Sequence, residues 1–90
     1  MKVVKYSYGY QVVRKSGSVE SQCAGISFVN IGTDIVTVLG YPLQPGFGYE
    51  PPNQFAGGWD ETNYEVNFAG GAGLTQVLLV IKQTYSDAIS

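Results

Sequence analysis

The residues equipped for chemistry are few and lie far apart. Asp60 and Glu61 are the one adjacent pair of carboxylates. Such a pair hydrolyses glycosidic bonds when a fold sets it across a sugar ring. On an extended chain, however, neighbours point to opposite faces, and Asp34, Glu50 and Glu65 fall on separate turns and strands. Surface solvation is the simpler expectation for these acids. Cys23 is the only cysteine, and histidine is absent. Together these facts exclude an internal disulfide, the Ser-His-Asp triad, the Cys-His dyad and the usual zinc sites. Cys23 precedes Ala24-Gly25-Ile26 and has no cationic cluster beside it, so it reads as a small buried or half-buried thiol. Gly70-Gly71-Ala72-Gly73 is followed neither by Lys-Ser/Thr nor by a helix and fails the phosphate-loop pattern. It reads as a hairpin turn. No catalytic residue, metal site or cofactor is expected.

The remaining candidates are aromatic. Tyr41, Phe47, Tyr49, Phe55 and Trp59 lie in or around a Pro/Gly-rich segment, with Asn53, Gln54, Asp60 and Asn63 close by. Exposed rings of this kind stack on sugars or bases. The competing expectation is that they cap the open end of a small core or fill a subunit interface. All five are therefore interface or ligand candidates.

A chain of 90 residues makes one domain, spanning 1–90. Charged residues are 13% of the chain, about half of the usual ~25%. Twelve Gly and four Pro argue against a helical bundle. This composition excludes intrinsic disorder, a coiled coil and a large enzyme. Ser, Thr, Asn, Gln and Tyr stand where charges usually keep a small domain soluble. Tyr favours interfaces because it is large, rigid and amphipathic, so part of the surface is expected to be covered by a partner or by copies of the chain.

Lys2, Lys5, Arg14 and Lys15 make the first fifteen residues basic, against a net charge of −2 overall. Cations separated by Val and Tyr read as the polar face of a strand. The pI of about 4.7 argues against nucleic acid as the main partner. The start of the chain lacks the apolar stretch of a secretion signal, and the longest aliphatic run, Val77 to Ile81, is far short of a membrane span. The expectation is a protein made in a cytoplasm, or packaged from one, that contacts no membrane.

The hydrophobic period is two almost throughout. Lys2 to Tyr10 and Gln11 to Lys15 read as extended, with Gly9 a bend or bulge between them, and Ser16-Gly17-Ser18 as a turn. Val19 to Cys23 is a short extended piece or a loop. Gly25 to Asn30 places Ile26 and Phe28 on one face. Asn30-Ile31-Gly32-Thr33-Asp34 carries Asx-turn chemistry, and Ile35 to Leu39 follows with Val36 and Val38 on one face, so the two runs predict a hairpin. Pro45-Gly46 suits a type II turn, and Leu43 is expected to plug one end of the core. Phe47 to Glu50 is expected to pair briefly at an edge. Pro51-Pro52-Asn53 forbids a central strand, and a Gly-rich loop runs from Gln54 to Asp60. Thr62 to Ala69 puts Tyr64, Val66 and Phe68 on one side. Leu74 to Tyr85 is the last strand, with both faces covered over Val77 to Ile81, and Ser86 to Ser90 is a polar tail. The predicted fold is all-β: a small antiparallel β-sandwich or flattened barrel of about six to eight strands.

Four stretches occur in a recognisable order: Gly-Ile-Ser-Phe-Val-Asn-Ile-Gly-Thr-Asp (25–34), Val-Thr-Val-Leu-Gly-Tyr-Pro-Leu-Gln-Pro-Gly (36–46), Thr-Asn-Tyr-Glu-Val-Asn-Phe (62–68) and Val-Leu-Leu-Val-Ile-Lys-Gln-Thr-Tyr (77–85). Over about two thirds of the chain this resembles the small β-sandwich virion proteins of tailed bacteriophages, of the auxiliary capsid (decoration) or head-fibre type. The resemblance implies a non-enzymatic structural role in many copies on a viral shell, with a homo-oligomer, a trimer among the possibilities, and capsid or other virion proteins as partners. The location implied is the virion, after synthesis in a host cytoplasm. The contact surfaces expected are the Tyr41–Trp59 segment and the N-terminal Val/Tyr strand. The alternative is a small carbohydrate-binding or adhesion module using the same loop aromatics.

Overall fold

Alternation of apolar and polar residues yields strands, and the computed structural model describes residues 3–51 and 58–89, with side chains over 7–51 and 58–84. Among them lie β1 (Val3–Val13), β2 (Gly17–Glu20), β3 (Gly25–Asn30), β4 (Val36–Val38), β5 (Tyr41–Leu43), β6 (Gly48–Tyr49), β7 (Asn63–Phe68) and β8 (Leu78–Ile89), and no helix. The strands form two four-stranded antiparallel sheets, ordered β1-β8-β3-β6 and β2-β7-β4-β5. Apart from β4 and β5, each strand is followed in sequence by one in the opposite sheet. This interleaving is the jelly-roll order of a double-sheet sandwich.

The core lies between the sheets. Ile26 and Phe28 of β3 and Leu78 and Val80 of β8 face Val36 and Val38 of β4 and Tyr64 and Val66 of β7, with Val19, Cys23 and Leu43 completing it. The Phe28 ring centroid lies 5.1 Å from that of Tyr64 and 6.3 Å from that of Tyr49, both tilted, an arrangement aromatic quadrupoles favour.

The strand faces, Leu43 in the core and the Pro45-Gly46 turn are as expected. Phe47 donates its N–H to the Gln44 carbonyl at 3.0 Å, and Gly46 takes a φ of 86°. Other expectations are corrected. Gly9 is no bend: it pairs with Lys82 inside a continuous β1, and the irregularity falls between Val3 and Lys5. The predicted turn at Ser16-Gly17-Ser18 ends earlier, since Gly17 and Ser18 already pair with Val66 and Glu65. β3 and β4 form no hairpin, because they belong to different sheets. The hairpin instead joins β4 to β5 through Leu39 and Gly40, both at positive φ (50° and 80°), as a two-residue turn requires to match strand twist. Gly70 to Gly73 likewise crosses between sheets rather than closing a hairpin. Residues 74–77 are not strand. Their backbone instead holds the 31–34 loop: Thr75 O accepts from Thr33 and Asp34 at 2.9 and 3.1 Å, and Val77 O from Ile31 and Gly32 at 3.2 and 3.1 Å.

Two buried polar residues of that loop hold it in place. Asn30, fully buried, donates from Nδ2 to the carbonyls of Asp34 (2.8 Å) and Leu43 (2.9 Å), and its Oδ1 accepts from the Gly32 N–H at 3.1 Å. Asp34 is buried rather than solvated; its Oδ2 accepts from Gly70 N at 2.8 Å and Gln76 Nε2 at 3.2 Å. Burial raises the Asp34 pKa, but these hydrogen bonds outweigh it and hold the carboxyl below its ordinary range.

The strand predicted to end at Tyr85 runs on to Ile89. β3 accompanies β8 only as far as Gln83. Beyond that, β8 pairs with β1 alone, out to Val3 opposite Ile89. This two-stranded ribbon leaves the sandwich and stretches the molecule to 55 × 19 × 19 Å.

Candidate interaction surface

Two of the five aromatic candidates come together. Tyr41 sits on β5, the outermost strand of one sheet, and Tyr49 on β6, the outermost strand of the other. Their rings stack at 5.2 Å with 28° between planes, so the pair bridges the two sheets along one side of the sandwich. Tyr49 also packs on Phe28, which makes it a core cap. Phe47, largely exposed at 63%, is carried by the Pro45-Gly46 turn; Asn30 N–H donates to its carbonyl at 2.9 Å. Neither Phe47 nor Trp59 shares a ring contact with the stacked pair among the described residues. Phe55 lies outside the described residues.

Trp59 is exposed beside a polar anchor. Asp60 and Cys23 exchange backbone hydrogen bonds at 2.7 and 3.1 Å, and buried Ser21 Oγ lies 2.8 Å from the carbonyls of Asp60 and Thr62 and 2.9 Å from Asp60 Oδ1. Thr62 N–H donates to Asp60 Oδ1 at 2.8 Å, and the Tyr64 hydroxyl donates to Oδ2. Burial raises the Asp60 pKa, but the bonds from Tyr64, Thr62 and Ser21 override it and lower it. Burial, then Asp60 itself, pushes the Tyr64 phenol up. The cluster is thus a neutral phenol donating to an ionised carboxylate, a mount for the 58–62 segment. Cys23 is fully buried, its Sγ donating to Gly25 O at 3.2 Å, and burial pushes its thiol up, away from thiolate chemistry.

The anchor makes a pH prediction. Asp34 and Asp60 both have folded-state pKa values below the ordinary ~3.9. Their stabilisation is present above that value and lost as pH falls through the folded values. Urea unfolding followed by Trp59 fluorescence between pH 7 and 3 should therefore show stability falling as pH drops below about 4. Tyr64→Phe, which removes the leading hydrogen bond to Asp60, should shallow that fall. An unchanged slope in the variant would refute the pairing.

A surface not singled out among the aromatic candidates lies on the sheet faces. Register on the outer side of the first sheet aligns Val12 with Leu79 and Val29, Tyr10 with Ile81 and Ser27, and Tyr8 with Gln83 and Gly25. Tyr8, Tyr10 and Val12 are exposed; Leu79, Ile81 and Val29 are half-buried. Lys82, the only cation of β8, lies on the other side, where Nζ donates to Glu20 O at 2.7 Å. The outer side of the second sheet is of opposite character: Ser18, Glu20, Thr37, Asn63, Glu65 and Asn67. The N-terminal Val/Tyr strand was expected as a contact surface; the structure shows its Tyr8, Tyr10 and Val12 exposed, and the rows that extend this face across β8 and β3 depend on strand order.

Among the described residues, the fold and this surface define the class: an eight-stranded jelly-roll sandwich with one polar outer face and one whose described side chains on β1, β8 and β3 are uncharged and partly aromatic. No family model matches the chain, and no curated protein or solved structure gives a significant match.

Proposed function

We propose that the chain is a non-enzymatic structural or assembly protein, a bacteriophage virion component of the capsid-auxiliary or decoration type, acting through contacts with its own copies and with a shell. The observation that carries this reading is the difference between the two outer faces. A sheet facing water alternates apolar-in with polar-out, as the second sheet does. The first sheet instead turns Tyr8, Tyr10 and Val12 outward with no charge among them, and tyrosine is enriched at interfaces whose centres are depleted of charge. The jelly-roll order supports it at the level of fold only, since capsid domains and lectins both use it. The test is solution mass by light scattering at two concentrations tenfold apart. A stable oligomer is expected; a monomer at both would overturn self-assembly as the mechanism.

Exposed Tyr41, Phe47 and Trp59 favour the carbohydrate-binding alternative. The Tyr41–Tyr49 stack weakens it, because each ring spends one face on the other. Titrating sugars against Trp59 fluorescence separates the two readings.

A further inference from the structure

We infer that the outer face of β1, β8 and β3 is the seat of a second copy of this chain, packed sheet against sheet about a two-fold axis. The inference rests on the assembly reading above and specifies its geometry. Three rows cross this face: Val12–Leu79–Val29, Tyr10–Ile81–Ser27 and Tyr8–Gln83–Gly25. None of these residues carries charge, and Lys82 is directed to the opposite side.

The absence of charge selects the occupant. A two-fold contact presents the same patch on both partners and must be complementary to itself. A patch bearing one sign of charge repels its own copy, whereas an uncharged one does not. The outer face of the second sheet, with Glu20 and Glu65 both exposed, would meet that repulsion, which leaves the first sheet as the self-compatible face.

The area is sufficient. Three strands at ~4.8 Å spacing and six residues at ~3.4 Å give a flat field of about 14 × 20 Å, and the largely exposed Tyr8 and Tyr10, aromatic side chains of a kind that bury about 150–250 Å² each, stand out from it. Two copies pressed together then remove on the order of 1,000 Å² from water, the threshold of a specific interface. Sheets stack face to face at about 10 Å with interdigitated side chains, and exposed Tyr10 and Tyr8 are long enough to fill that layer.

The geometry closes at two, so light scattering of the wild-type chain should give twice the 9.7 kDa monomer mass. Tyr10→Glu and Val12→Glu each place an unpaired charge in the contact and are expected to raise the dimer dissociation constant at least about a hundredfold. Both sites are exposed in the single chain, so circular dichroism and the melting of the monomer should be unchanged. Glu65→Lys, on the opposite face, should leave the dimer intact. A wild-type oligomer whose mass ignores both β1 substitutions would overturn this interface and leave the assembly reading standing. A wild-type monomer at high concentration would overturn both.

Discussion

Asn30→Ala is expected to destabilise the fold by about 3–5 kcal/mol, which threatens the native state of a domain this small. Asn30 is fully buried and every polar atom of its side chain is engaged: Nδ2 serves the carbonyls of Asp34 and Leu43, and Oδ1 accepts the Gly32 N–H. Truncation takes a partner from two buried carbonyls, of which Leu43 keeps its place opposite Val36 in the β4–β5 ladder, and weakens that of one amide. Each unsatisfied group costs about 1–3 kcal/mol. The Gly32 amide keeps the Val77 carbonyl as an alternative acceptor, which places the sum below the three-group maximum. Asn30→Leu separates packing from hydrogen bonding. It restores volume but gives the same carbonyls no donor in place of the amide, so chemical denaturation should find it no more stable than the alanine variant. A leucine variant with wild-type stability would show that the amide contributes only bulk.

Gly32→Ala is expected to cost about 2–4 kcal/mol, although it adds a single methyl group. A Cβ on Gly32 would sit 2.3 Å from the Thr75 carbonyl oxygen and 2.8 Å from the Val77 nitrogen. Both obstacles are backbone, so no rotamer change relieves them. The 74–77 segment must retreat, and retreat breaks its hydrogen bonds to Ile31, Gly32, Thr33 and Asp34. Gly46→Ala provides the contrast. Its Cβ meets nothing within 4 Å, and only the φ of 86° opposes it, a penalty of about 1–2 kcal/mol. Thermal melts of the two variants should rank Gly32→Ala as clearly the more damaging; equal melting points would mean the crossing yields easily.

Much of this architecture was legible because a strand writes its inward face in its sequence. Ile26 with Phe28, Val36 with Val38, and Tyr64 with Val66 alternate with polar residues, and all six are buried. The Asx chemistry of Asn30 and the Pro45-Gly46 turn are local and therefore readable. Period two, however, reports which face a residue takes and not which strand lies beside it. The Asn30–Asp34 loop looks like a hairpin turn, yet the partners that hold it, Thr75 and Val77, are more than forty residues away. Asp34 looked like a surface acid for the same reason, since the groups that bury it arrive with 70–76. Ser86 to Ile89 looked like a polar tail because a ribbon strand carries no apolar signature of its own; its pairing with β1 is what makes it a strand. At the candidate surface, the five aromatics were visible as types, but the Tyr41–Tyr49 stack needed the knowledge that β5 and β6 lie on the same side of the sandwich.

The place of β8 between β1 and β3 also sets a timetable for synthesis. The first sheet has its inner strand inserted last, after all the other strands described. A ribosome adding ~5–20 residues per second makes the nascent chain wait roughly 2–10 s between completing β3 and beginning β8. During that interval the edges of β1 and β3 that β8 will occupy are open, with Ile26 and Phe28 not yet covered by Leu78 and Val80. Unpaired strand edges of this kind recruit other chains. A chain whose synthesis has not reached β8 therefore carries unpaired β1 and β3 edges, and the first sheet can close only once the last strand has been made.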